Sequence, residues 1–199
     1  MEGDEGKNPG NPGDSEGNPV NVLKKKILLV RHAESIENVR IRAAKSTWTR
    51  MRSFMLPKLS EIGSTLMLLK FENDANLSDN GKEMALAMQD VITKNGLFET
   101  LKPELIIYSP LIRAKKTFQL MIQPLLPQVE SQCLDILAEQ SISEHVYSQA
   151  NFRERVSRFE SWLDEREEKI VLIVGHSKFF RHMLGNACSV QKFSNCDIW

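Results

Sequence analysis

Apolar residues along this chain gather in two patterns. Unbroken runs stand at Ile27–Val30, Leu105–Tyr108 and Ile170–Val174, each closed by a polar turn. Short continuous runs of this kind predict strands buried on both faces. Between the runs, apolar residues recur at three- and four-residue spacing. Met84, Met88, Val91 and Ile92 form one such face, which predicts a helix with Ser78 as N-cap and a stop near Gly96. Phe152, Val156, Phe159 and Leu163 form a second, and Phe180 with Leu184 a third. Ser109 is expected to cap a helix with Pro110 at its first position, the place that best tolerates proline, which puts Arg113 in the first turn. Ser177 is expected to cap the helix through Phe180 and Leu184, and Ser194–Trp199 to form a short final strand. Strand and helix alternate, so the expected class is α/β, with a mostly parallel central sheet and helices on both faces.

One stretch breaks the pattern. Residues 1–22 hold five of the ten glycines and three of the eight prolines, with no apolar segment. Such a stretch cannot bury enough surface to offset its ordering entropy, so it reads as a disordered tail and not as a secretory signal. The run Lys24-Lys25-Lys26 reads as a solvated strand entrance, with a weak targeting or phosphate-attracting patch as the alternative. Residues 23–199 are long and apolar enough for one buried domain, at 41% hydrophobic content over the 199-residue chain.

Charge and cysteine content narrow the chemistry. A formal net charge of zero gives no basic surface for nucleic acid. No aliphatic run approaches the length that spans a membrane. Cys133, Cys188 and Cys196 are odd in number and unclustered, which points to a reducing, cytoplasmic setting and to no metal site.

The candidate chemistry lies where the three apolar runs end. The first is followed by Arg31-His32-Ala33-Glu34-Ser35-Ile36-Glu37-Asn38, the second by Ser109-Pro110-Leu111-Ile112-Arg113-Ala114, and the third by Gly175-His176-Ser177. In open α/β sheets, ligands collect at the carboxyl ends of strands. Two arginines and two histidines delivered there make one anion pocket. Adjacent residues on a strand point to opposite faces, so Arg31 and His32 can share that pocket only if the chain has left the strand between them.

These three turns, in this order, resemble the signature of the histidine phosphatase superfamily, also called phosphoglycerate mutase-like. That signature is an Arg-His-Gly-Glu turn with an Asn a few residues on, then Ser-Pro-x-x-Arg-Ala, then Gly-His. The resemblance runs over residues 26–199 and implies the family's phosphoglycerate mutase-like fold. It implies that His32 is the nucleophile, that Arg31, Arg113 and His176 clamp the phosphate, and that Asn38 adds a hydrogen bond in the same pocket. It implies no cofactor. Ala33 stands where the family has glycine; if the position needs positive φ, alanine adds a strain of about 1 kcal/mol. The family carries its acid in a Leu-x-Glu context after the second helix. Leu137-Ala138-Glu139 matches it, so Glu139 is the expected acid and base, with Glu144 and Asp135 as alternatives.

Other residues find bland readings. Glu34 is expected to orient arginines or cap backbone donors. His145 and His182 read as surface or helix-face histidines, and Lys178 and Arg181 as a solvated helix face. The family also has a Leu-Ser-x-x-Gly element with an Asp three residues ahead. Leu77–Gly81 with Asp74 matches it, whereas Leu59–Gly63 has no such Asp. Val39–Asn73 is then an insertion. Trp48, Met51 and Met55 share a helical face until Pro57, and Leu59, Ile62, Leu66 and Leu69 share another, so a two-helix cap near the pocket is expected, restricting the substrate.

The expected reaction is hydrolysis of a phosphate monoester, small molecule or phosphoprotein, through a phosphohistidine. Glycolytic mutases of the family carry a Glu-Arg-His-Tyr-Gly segment and a longer chain. Here Glu139 is followed by Gln140-Ser141-Ile142-Ser143, which favours a phosphatase over a phosphoglycerate mutase-type transferase. A catalytically silent phosphate-binding protein is the third alternative. Neither the substrate nor the oligomeric state is readable from the residues.

Overall fold

The long apolar runs do become the buried strands of one sheet. In the computed structural model, residues 25–52, 74–141, 144, 148–185 and 193–199 are described. The expected tail at 1–22, the 53–73 part of the helical insertion expected at 39–73, His145 and Cys188 lie outside the described residues, as do the side chains of Trp48 and Met51. Strands β1 (Lys26–Arg31), β2 (Leu105–Tyr108), β3 (Glu130–Cys133) and β4 (Ile170–Gly175) form a four-stranded sheet in the order β1-β4-β2-β3. Every pair is parallel, with Arg31 opposite Gly175 and Tyr108 opposite Val174. The chain end runs antiparallel along β1, exchanging backbone hydrogen bonds between Leu29 and Trp199 at 2.8 and 3.0 Å, so the final strand is present as a single bridge.

Alternation along the strands splits the core in two. Val30, Ile106, Leu172 and Val174 face one layer, built from α2 (Asp79–Lys94), α3 (Leu97–Leu101), α4 (Ile112–Thr117) and the π-helical turn Phe118–Ile122 that prolongs α4. Leu29, Leu105, Ile107, Val171 and Ile173 face the other, built from α5 (Gln149–Asp164) and α6 (Ser177–Leu184). Phe152, Val156, Phe159 and Leu163 are all buried in that second layer, as their spacing predicted. Truncating a buried phenylalanine of this kind costs about 3–5 kcal/mol.

Several expectations need correction. Val91 is 48% exposed, because Ile92 and Ala85 take the inner face of α2. The helix after β2 starts at Ile112, with Leu111 as N-cap, and Pro110 lies outside it. The donor at Ile112 is satisfied from elsewhere: its N–H donates to Asp74 Oδ1 at 2.6 Å. Ser177 is the first residue of α6 and His176 its N-cap. Lys25 is no free strand entrance; its ammonium donates to the Leu163 and Arg166 carbonyls at the end of α5. Strand β3 has no counterpart in the apolar pattern, since Glu130-Ser131-Gln132-Cys133 is a largely exposed polar edge. Helix α1 runs Ile36–Arg52, beginning inside the first motif. Ser35 and Asn38 cap it reciprocally, Asn38 N–H donating to Ser35 Oγ at 3.2 Å and Ser35 N–H to Asn38 Oδ1 at 3.1 Å.

Candidate active site

The sheet register brings the three turns together. β4 lies between β1 and β2, and Arg31, Gly175 and Tyr108 end their strands at one edge. His32 N–H donates to Gly175 O and Ser109 N–H to Val174 O, both at 3.0 Å, so the third turn is bonded to the first and the second. Arg31, His32, Arg113, His176 and Ser109 are all buried there. Arg31 ends β1 while His32 is already outside it, which resolves how neighbours share a pocket.

The first turn is fixed by backbone partners. Ala33 N–H donates to Thr117 Oγ1 at 2.9 Å, and that hydroxyl donates to Arg113 O at 2.7 Å. Ala33 is fully buried, and among the described non-glycine residues only Lys102 and Cys196 have positive φ. The strain considered for alanine therefore does not arise. Glu34 O accepts Ser78 N–H at 3.0 Å, and a Cβ on Gly81 would stand 2.0 Å from that same carbonyl. The Leu77–Gly81 element thus needs its glycine for close approach to the motif turn. The buried Glu34 carboxylate accepts from Arg42, from Ser78 Oγ at 2.9 Å and from Asn80 Nδ2 at 3.1 Å. Burial opposes its ionisation, but those donors outweigh it and hold the carboxyl below its ordinary range.

The histidines are held neutral. Burial, then the Arg113 charge, push His32 down to about 3. Its Nδ1 lies 2.7 Å from Ala33 O, so Nδ1 carries the proton and Nε2 the lone pair. The His176 ring sits 5.1 Å from that of His32, centroid to centroid. Burial first, then His32 and Arg113, hold His176 well below its ordinary value. Its Nε2 is 2.8 Å from Ser109 Oγ, and that oxygen also accepts Leu111 N–H at 3.4 Å. With the Ser109 proton on the Nε2 side, the hydrogen of neutral His176 would sit on Nδ1.

What the pocket can bind follows from its unpaired donors. Arg31 Nε, Arg113 Nη1 and His176 Nδ1 are buried without a hydrogen-bond partner. A buried polar group without a hydrogen bond costs about 1–3 kcal/mol, and two of these groups belong to cationic guanidiniums, so an anionic acceptor suits the cluster. Arg31 is anchored through Nη1 to Phe193 O at 2.5 Å, and Glu37 Oε2 approaches Arg113 Nη1 at 3.4 Å. Among the described residues, no group of three or more His, Cys, Asp or Glu is placed to hold a metal ion, and no helix is long and apolar enough to cross a membrane.

Glu139 stands beside this cluster, with Oε2 3.8 Å from His176 Nδ1 and its side chain 21% exposed. Burial raises its carboxyl above the ordinary range, against the pull of the Gln140 N–H and of Arg113. The alternatives are placed differently. Glu144 makes a two-pronged pair with Arg155, at 3.1 and 2.9 Å, and its donors outweigh burial to keep it below its ordinary value. Asp135 is exposed in the 3-10 turn Asp135–Leu137. Lys178 and Arg181 are exposed on α6, and His182 is edge-on to Phe152 at 4.9 Å. Asn38 Oδ1 is occupied by Ser35 and by Asn195 Nδ2 at 3.4 Å.

Sequence reasoning missed four contributors. Ser109 orients His176, and Thr117 joins the first turn to Arg113; its position four residues after Arg113, on the same helical face, was the available signal. Asn195, which donates to His32 O at 2.9 Å, and Arg155 act across long sequence separations and leave no local signal.

No family model matches the sequence, and no curated protein matches it. Solved structures do. A candidate alpha-ribazole-5'-P phosphatase of Escherichia coli superposes with a TM-score of 0.58 at 15% identity, covering 87% of this chain and 88% of that one. The open reading frame Rv3214 of Mycobacterium tuberculosis gives 0.54 at 19% identity, covering 87% and 89%. A mycobacterial glucosyl-3-phosphoglycerate phosphatase gives 0.52 at 12% identity, covering 87% and 88%. The chain shares the fold of these proteins, as the resemblance of its three turns implied.

Proposed function

We propose that this chain is a phosphatase that hydrolyses a phosphate monoester through a phosphohistidine on His32. The observation that carries the reading is the tautomer: the Nδ1 proton of His32 is tied to Ala33 O, so the Nε2 lone pair is available. The His32 ring lies 5.1 Å from that of His176, at the strand ends where Arg31 and Arg113 are also buried. The phosphatases that share the fold support the reaction class.

In the first step, His32 Nε2 attacks phosphorus and the ester P–O bond breaks. Arg31 and Arg113 neutralise the equatorial oxygens and neutral His176 adds a hydrogen bond, where forked and preorganised donors matter most. Glu139, whose protonated form is favoured by burial, gives its proton to the leaving oxygen. In the second step, the Glu139 carboxylate takes a proton from water. The hydroxide attacks phosphorus, the P–N bond breaks, and phosphate leaves with His32 and Glu139 restored. The Nδ1 hydrogen bond to Ala33 O persists throughout and steadies the positive charge that the ring acquires. Asn195 and Thr117 keep the turn in place.

The test is phosphate release from 2,4-dinitrophenyl phosphate by the wild type and by His32→Ala. Activity that is present in the first and absent in the second supports the reading. Equal activity in both overturns His32 as nucleophile. Transfer to an added acceptor without release of phosphate would replace the phosphatase with a mutase.

A further inference from the structure

The segment bearing Glu139 has few supports of its own. It leaves the exposed edge strand β3 and passes through one 3-10 turn, and the Glu139 carboxylate accepts a hydrogen bond from the N–H of its neighbour Gln140, at 3.1 Å. Yet a group that delivers a proton must be held within a fraction of an ångström. One side chain supplies that order from outside. Arg155, in the second turn of α5, has a side chain that is 18% exposed. Its Nη1 donates to Ile136 O at 2.8 Å and to Ala138 O at 2.6 Å. The Ala138 carbonyl belongs to the same peptide plane as the Glu139 N–H, so holding it fixes the point from which the Glu139 side chain departs.

The other edge of the guanidinium grips the far side of the segment. Nε and Nη2 bind Glu144, whose carboxylate also accepts Ser141 N–H at 2.9 Å, while Glu144 N–H donates to Ser141 Oγ at 3.1 Å. The guanidinium further lies 5.0 Å from the Phe152 ring centroid and 5.9 Å from that of Phe179, three residues beyond His176. Carbonyls before Glu139, a carboxylate after it, and the helix that His176 caps thus meet on one rigid cation. A lysine could not replace it, because a point charge does not serve acceptors on two edges of a plane.

We propose that Arg155 is a positioning residue that holds Glu139 against His176 and so sets the strength of proton delivery to the leaving group. This rests on the reading of Glu139 as the acid. It also gives Glu144 a role: it is the counter-ion of the clamp. The consequence is selective. Phenyl phosphate, with a poor leaving group, needs the proton; 2,4-dinitrophenyl phosphate does not. An arginine serving only to stabilise the fold would affect both alike.

The measurement is kcat/KM for both esters in Arg155→Met, Arg155→Lys, Glu144→Gln and Glu139→Gln, each checked for folding by thermal melting. General acid catalysis contributes about 10²–10⁴-fold, and misplacing the acid forfeits part of it. Arg155→Met is expected to lose about 10- to 100-fold on phenyl phosphate and less than about 3-fold on 2,4-dinitrophenyl phosphate. Arg155→Lys should restore little, and Glu144→Gln should show the same selectivity at about 3- to 10-fold. If Arg155→Met does not fold, the latter two variants carry the test. An equal loss on both esters, or no loss on either, overturns the positioning role. If Glu139→Gln is itself unselective, the acid assignment fails; if it is selective while the Arg155 and Glu144 variants are not, only the clamp fails.

Discussion

The two halves of the site are built by different means. Arg31, His32 and His176 emerge directly from the ends of hydrogen-bonded parallel strands, and Arg113 from the helix that follows a third. Main-chain bonds such as His32 N–H to Gly175 O fix them, and moving one would disturb the sheet. Glu139 instead hangs from an exposed edge strand and depends on a side-chain clamp, Arg155. A cage that must not relax while charge develops gains from backbone register. In the reading proposed above, Glu139 must release and recover a proton, and its half-open loop lets water reach it.

This difference can be broken from either side. Removing the proposed nucleophile has the largest effect: His32→Ala should lower phosphate release by at least about 10³-fold on every ester. Arg113→Ala should follow at about 10²–10³-fold, also whatever the leaving group. Glu139→Gln should cost about 10²-fold in kcat/KM on phenyl phosphate and little in kcat/KM on 2,4-dinitrophenyl phosphate, since its role as base in hydrolysing the phosphoenzyme enters kcat alone. Steady-state kinetics over a series of aryl phosphates checks all three. Were Arg113→Ala also selective for the poorer leaving group, the division between cage and acid would not hold.

Legibility in the sequence follows the same division. Strands β1, β2 and β4 were readable because burial on both faces leaves unbroken aliphatic runs, and Arg31, His32 and His176 because they stand at the ends of such runs, with Arg113 in the helix after one of them. Strand β3 was not, since an exposed polar edge pairs through its backbone and leaves no apolar signature. Pro110 and Ser177 misled about helix starts because the real partners come from elsewhere, Asp74 for the Ile112 donor and the β4 turn for α6. Glu139 was preferred on a short motif with Glu144 as an alternative, and no local signal showed that Arg155, eleven residues beyond Glu144, engages that carboxylate.

The cage can also be loosened without touching its charges. Gly81 packs where a Cβ would meet the Glu34 carbonyl, a backbone atom that cannot swing aside. Gly81→Ala should destabilise the fold by about 2–3 kcal/mol, measured by urea unfolding. It should also lower activity on all esters in proportion, since it displaces the first turn and leaves the acid loop alone. A variant as stable as the wild type would mean that α2 shifts freely, and that the Leu77–Gly81 element does not hold the turn.

The smallest effect separates the two halves by the sign of their titration. His32 is depressed from 6.5 to about 3, and His176 is depressed as well. The unfolded chain therefore binds more protons than the folded one between those limits. Each histidine thus contributes stability that is present above pH 6.5 and lost as pH falls, at up to about 1.4 kcal/mol per pH unit. Glu139 is shifted upward, so its contribution runs the other way: present below its ordinary value near 4.5, and lost as pH rises through its folded value. Unfolding followed from pH 7 to pH 4.5 should accordingly show wild-type stability falling with acid. His32→Asn should flatten that fall and Glu139→Gln should steepen it, because the first removes a destabilising proton and the second removes the group that offsets it. If Glu139→Gln flattened the curve instead, His176 and Glu139 would be an ion pair across their 3.8 Å separation. The acid would then already have lost the proton that the mechanism requires it to give.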